Sequence, residues 1–239
     1  MEKLWNELQD NLIFVLSCAG IIVLLSLLAR LAEKLLKTKR NVSVSRRVSI
    51  VGICAAIAAV LHILDFPLVF LAPEFYKLDF SELPVLLCGF YLGPSASIAC
   101  EGVKILLKLL LKGTSTAFVG DFANFAVGCS LVLPATILYH LHKSRRSAVL
   151  GLTCGTLFLT VFGSAFNAVY LLPKFAQLYG LPLDTIVSMG SAIHPAVNNV
   201  TSFVLFCVAP LNLLKGTVVS ILTLLLYKRI ERIFFSPGK

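Results

Sequence analysis

The sequence holds no GxxxxGK[ST] stretch, so no P-loop ATPase is expected within this chain. HExxH and GxSxG are missing too. The four histidines, His62, His140, His142 and His194, are dispersed, and two of them flank a basic loop. No Cys/His nucleophile pair can be assembled, which leaves an enzymatic reading without a reacting group. There is no CxxC, and seven cysteines are scattered singly through apolar segments. They read as small buried hydrophobes, neither metal ligands nor disulfides. Strict alternation of polar and apolar residues is absent, which argues against a lipid-spanning barrel. Charge is scarce at 14% of residues, and acids are scarcer than bases, 12 against 21. MEKLWNELQD lacks the basic start of a signal peptide, so none is expected there.

What is present is apolar. Hydrophobic residues make up 58% of the 239, and the mean hydropathy is +0.91. Several runs reach or approach the roughly 20 residues that cross a bilayer. The expected class is an all-α, polytopic membrane protein. The net charge of +9 concentrates in residues 34–47, 142–146 and 227–232. Nucleic-acid binders share such a bias, but these clusters sit at the ends of apolar runs, as cytoplasmic flanks do. Asn41-Val-Ser and Asn199-Val-Thr match the glycosylation pattern, a motif too short to carry weight.

The apolar runs predict helices over 12–36, 48–64, 83–92, 95–112, 122–141, 148–172 and 205–228. An irregular stretch at 65–84, a loop at 112–121 and a long segment at 173–199 connect them. Placing 37–47 inside puts every basic cluster on the cytoplasmic side, with the C-terminus inside and the N-terminus outside. The division read from this is an extra N-terminal transmembrane helix with a basic cytoplasmic linker, 1–47, then a six-helix substrate-binding membrane domain, 48–239. The first helix, whose apolar faces offer no buried polar residue, is expected to be dispensable for binding.

Ionisable groups within a bilayer are costly and mark function by default. With Lys228 at the inner boundary, a core about 30 Å thick reaches back about 20 residues, to about position 208. Asn212 and Lys215 then lie within the outer leaflet on one helical face. The ordinary alternative for Lys215 is snorkelling to the headgroups. The same arithmetic brings Asn167, the pair Asp121 and Asn124, and the stripe Glu101, Lys104 and Lys108 to one outward level. Glu101 and Lys104 are also spaced to pair with each other. These residues outline an outward-facing pocket for a small molecule rich in hydrogen-bonding groups. Glu74, Asp79 and Glu82 are expected to be mainly solvated, in a loop able to cover the pocket, with Asp79 as its candidate binding residue. Ala55 and Ala59 on the 48–64 helix allow close helix approach, either for a partner membrane protein or for internal packing.

Four stretches in order carry a resemblance: FPLVFLAPEFYKLDFSELPVLLCGFYLGP, STAFVGDFANFAVG, FNAVYLLPKFA and PLNLLKGTVVS. Across about residues 48 to 232 the chain resembles the riboflavin-specific substrate-binding subunit, or S component, of energy-coupling-factor (ECF) transporters. The resemblance implies a six-helix bundle in the cell (plasma) membrane that binds riboflavin from outside with high affinity. It implies no cofactor, riboflavin being the transported ligand. The partners it implies are a coupling membrane protein and two ABC-type ATPases. It assigns flavin binding to Asn212, Lys215, Asn167 and Asp121, the last where glutamate is commoner, and coupling-protein contact to Ala55 and Ala59. The chain departs from the pattern in its first helix, in the length of 173–199 with an apolar piece at 185–197, and in Ile105 and Lys108. The alternatives kept open are an S component for another vitamin or a nucleobase-like compound and, from another class, a membrane enzyme or assembly factor.

Overall fold

The computed structural model describes residues 2–36, 42–114, 116 and 118–235, with side chains from residue 18 to residue 229 within those ranges. Residues 37–41 of the basic linker, Asn41 among them, and the side chains of the acidic first ten residues lie outside the described residues. The chain runs α1 (Glu2–Leu35), α2 (Val44–Ile63), a two-stranded ribbon of β1 (Phe66–Pro67) and β2 (Lys77–Leu78), α3 (Glu82–Leu92), α4 (Pro94–Lys112), α5 (Val119–His142), α6 (Arg145–Phe166), α7 (Leu172–Tyr179), α8 (Leu183–Ser191), α9 (Val200–Phe203) and α10 (Ala209–Phe235). The ribbon is antiparallel, with Phe66 opposite Leu78, and folds the expected loop back on itself.

Local chemistry sets several boundaries. Pro94 opens α4 at a position where a helix has no use for the missing N–H. Ser144 caps α6 by accepting from the Ser147 amide at 3.1 Å. Asn199 and Ser202 exchange a reciprocal cap at the start of α9. Two predicted helices differ from a plain α-helix. Between α6 and α7, Asn167–Leu171 is a π-helical turn, and Val204–Val208 is another between α9 and α10. In each, an N–H reaches five residues back, as from Leu172 to the Asn167 carbonyl. Such a turn widens the helix by one residue and re-aims the side chains beyond it. The helical path is otherwise continuous from Arg145 to Tyr179 and from Val200 to Arg229.

Among the described residues, those two runs together with α2 and α5 are long and apolar enough to cross a membrane. Their outward faces are apolar: Ile53 and Ile57 on α2, Leu157 and Val161 on α6, Ile221 and Leu225 on α10 are all exposed. The main core lies between α2, α3, α4, α5, α6 and α10, around Leu86, Leu131, Leu152 and Val219. Gly151 lets α6 cross α5 at backbone distance, since a Cβ there would lie 2.5 Å from the Ala135 carbonyl oxygen. A second cluster joins the 68–76 loop to α8 and the π-turn before α10, through Ala72, Ile186, Phe203 and Val208.

Two expectations change here. Ala55 and Ala59, expected on a partner face, are buried, with Ala55 packed beside Val85 and Leu86 of α3. Their small size serves close packing inside the bundle. The exposed side of α2 instead carries Gly52, Ile53, Ala56 and Ile57. In α1, Ala29 packs with Ile98, Ile105, Phe125 and Cys129 of α4 and α5. Glu33 is a buried polar group after all. It accepts from the Ser95 amide at 2.9 Å and the Ser95 hydroxyl at 2.6 Å, with Arg47 at 3.7 Å.

Candidate binding site

A cavity of about 450 Å³ lies between the 65–79 segment, the ends of α4 and α5 that meet near residue 113, the Asn167 π-turn, α7 and the start of α10. That volume falls within the range of small-molecule pockets. Asp79, Asp121, Asn124, Asn167, Asn212 and Lys215 all line it. These come from separate parts of the chain, brought to one level by the helix packing described above.

The floor is a knot of buried charges. Lys215 Nζ donates to Asp79 Oδ2 at 3.0 Å and to Glu82 Oε1 at 3.1 Å. His62 Nδ1 lies 3.4 Å from Asp79 Oδ2. The other Asp79 oxygen accepts from the Ser81 amide at 2.8 Å. Beneath them Lys104 pairs with Glu101, donates to the Ser81 hydroxyl at 3.1 Å and lies 3.5 Å from Glu82. Lys215 therefore does not snorkel: its charge stays in the bundle. Two of its three donors are committed to carboxylates, and one remains for a ligand. Asp79 and Glu82, expected to be solvated, are buried. Only their return path explains it: the β-ribbon carries this stretch inward against α10.

Glu101 and Lys104 require a correction. Both side chains are 0% exposed, and neither is among the cavity's lining residues. Their i, i+3 pairing, with Ser81 and Glu82 above, turns them into the core, where they support the floor instead of touching its contents. Lys108, one turn further on, reaches the cavity and pairs with Asp121 while donating to the Gly113 carbonyl at 3.0 Å. At the rim Asp65 holds Lys77 at 3.3 Å and Lys112 at 3.2 Å. Each lysine lining the cavity thus has a carboxylate partner.

The opposite wall is aromatic. The Tyr76 hydroxyl donates to Asn167 Oδ1 at 2.7 Å, and Asn167 Nδ2 donates to the Gly163 carbonyl at 2.8 Å. Burial pushes the Tyr76 phenol above its ordinary pKa, so it remains a donor. Phe75 meets Phe175 edge-on at 6.5 Å, and Tyr179 follows at 6.0 Å from Phe175. Three buried polar atoms of lining residues have no hydrogen-bond partner among the described residues: Asn212 Nδ2, a donor, Asp121 Oδ2, an acceptor, and His62 Nδ1, whose nearest charge is the Asp79 carboxylate. A buried unpaired group costs stability, and a ligand with matching groups removes that cost. Sequence reasoning missed His62, Phe75, Tyr76, Phe175 and Tyr179. Aromatic residues in a loop and a short helix carry no signal that distinguishes them from ordinary apolar packing.

Comparison with known proteins gives a consistent result. A family model described as ECF transporter, substrate-specific component, matches residues 46–227. The riboflavin transporter RibU of Staphylococcus aureus is 34% identical over 194 residues, 81% of this chain and 95% of that protein. The riboflavin transporter FmnP of Bacillus subtilis is 29% identical, over 78% of this chain and 92% of that one. A solved structure of the S component of a bacterial ECF transporter superposes with a TM-score of 0.63 at 35% identity, covering 81% of this chain and 99% of that chain.

Proposed function

The chain belongs to the substrate-specific components of ECF transporters, and from that premise we propose that it binds riboflavin in this cavity and serves its uptake across the cell membrane. The cavity's polarity is the observation that carries the reading. Its aromatic wall suits a flat ring, and its free donor and acceptor suit the carbonyls, ring N–H and hydroxyls that riboflavin offers. The ligand is neutral, and each lysine at the cavity already has its counter-ion. Asn212, Asn167, Lys215, Asp121 and Asn124 are the direct contacts in this reading, with Asp79 holding Lys215.

The bound ligand enters from the outer side, with the C-terminus in the cytoplasm and the N-terminus outside. A coupling membrane protein and two ABC-type ATPases supply the energy, since the sequence has no ATP-hydrolysis motif of its own. An appended helix and linker stand in front of the binding domain, and the division expected at 47/48 moves to 43/44, where α2 begins. The test is spectroscopic. Protein purified from cells supplied with riboflavin should carry the flavin absorbance, and vesicles should accumulate riboflavin only with the coupling subunits and ATP present. Colourless protein that also fails to take up added riboflavin contradicts the proposal.

A further inference from the structure

We propose that Gly163 is a positioning residue for both cavity asparagines. It contacts the site twice, through what it has and through what it lacks. Its carbonyl accepts from Asn167 Nδ2 at 2.8 Å, which leaves Asn167 Oδ1 to take the Tyr76 hydroxyl at 2.7 Å. Its missing side chain leaves the space in which the Asn212 carboxamide rests. A Cβ at this position would lie 2.8 Å from Asn212 Nδ2 and 3.4 Å from its Cγ.

Asn212 Nδ2 is a buried donor without a partner among the described residues, so its direction is set by packing alone. Gly163 is the surface it packs on. Asn167 opens one π-helical turn, and Asn212 follows the other by four residues. The two widened turns aim the asparagines from different helices at a single glycine of α6. An added methyl meets the end of a rotatable carboxamide, not a backbone, so the carboxamide turns away while the helices hold.

The inference rests on the cavity being the ligand site, and its test separates the two. The full chain is compared with Gly163→Ala, Asn212→Ala and the double variant. Riboflavin titration should show Gly163→Ala weakening binding about tenfold, the worth of one well-placed hydrogen bond. In the Asn212→Ala background the same change should cost less than about twofold. Thermal unfolding of ligand-free protein should show the same pattern, with Gly163→Ala lowering the midpoint only when Asn212 is present. Equal effects in both backgrounds, by either measurement, overturn the proposal. Should Gly163→Ala alone fail to fold, folding of the double variant supports it and failure of both overturns it. If the unaltered protein binds no riboflavin, the functional reading falls, and the unfolding comparison still decides the role of Gly163.

Discussion

Lys104 and Lys112 sit eight residues apart on α4, both bonded to carboxylates, in opposite surroundings. Lys104 is fully buried among Glu101, Glu82 and Ser81, whereas the Lys112 side chain is 42% exposed beside Asp65. Removing one partner of a buried pair leaves an uncompensated charge and costs about 3–5 kcal/mol. An exposed pair is worth about 1 kcal/mol or less. Lys104→Met should therefore lower unfolding stability severely, and Lys112→Met hardly at all. Equal losses in thermal unfolding would show that the floor is not a buried network. The sequence makes one part of this site readable at the residue scale. Asn167, Asn212, Asp121 and Asn124 lie on helices whose depth comes from the rise per residue. Asp79 and Glu82 read as solvated because they come after a proline-containing stretch with no period, and nothing local encodes its return against Lys215. For Glu101 and Lys104 the i, i+3 spacing fits two readings, and only burial separates them.

At the scale of elements, α1 is docked by a specific bond set. Glu33 takes two hydrogen bonds from Ser95 at the α3–α4 turn, with Arg47 of α2 alongside. That turn is at the opposite end of α4 from Lys108 and Lys112, the residues that reach the cavity. Glu33→Ala removes a charged acceptor worth about 1.5–3 kcal/mol. It should lower the unfolding midpoint and leave riboflavin affinity unchanged. A parallel fall in affinity would place α1 in the binding unit and end its description as an appended helix. The apolar runs reveal α2 to α5 within a few residues, because the 3.6-residue period and the length needed for a bilayer constrain them jointly. By contrast, α1 starts ten residues before its expected start, and the last two long helical runs each continue seven residues past their expected ends. The π-helical turns and α8 are not legible: a one-residue widening leaves composition unchanged, and α8 is a short helix in a segment rich in Gly, Pro and Ser. Ala55 and Ala59 illustrate a further limit. Small residues four apart signal close approach, and the pattern does not say whether the approaching helix belongs to the same chain.

At the scale of the molecule, the chain is a multi-pass membrane protein of the ECF substrate-specific family. Apolar side chains face outward along the long helices, and Asp79, Glu82, Glu101, Lys104 and Lys215 form a buried charge cluster beneath the cavity, with Glu33 and Arg47 at the other end of α4. The same distribution makes the class readable from composition alone, because burying so few charges in so apolar a chain leaves few other arrangements. The ligand is a finer matter, set by a donor here and an aromatic edge there. Equilibrium titration of the purified, ligand-free full chain with riboflavin, monitored by quenching of flavin fluorescence, tests the central claim most directly. Saturable quenching that ends at one riboflavin per chain is the predicted result. Fluorescence that stays unchanged as folded protein is added would contradict the account.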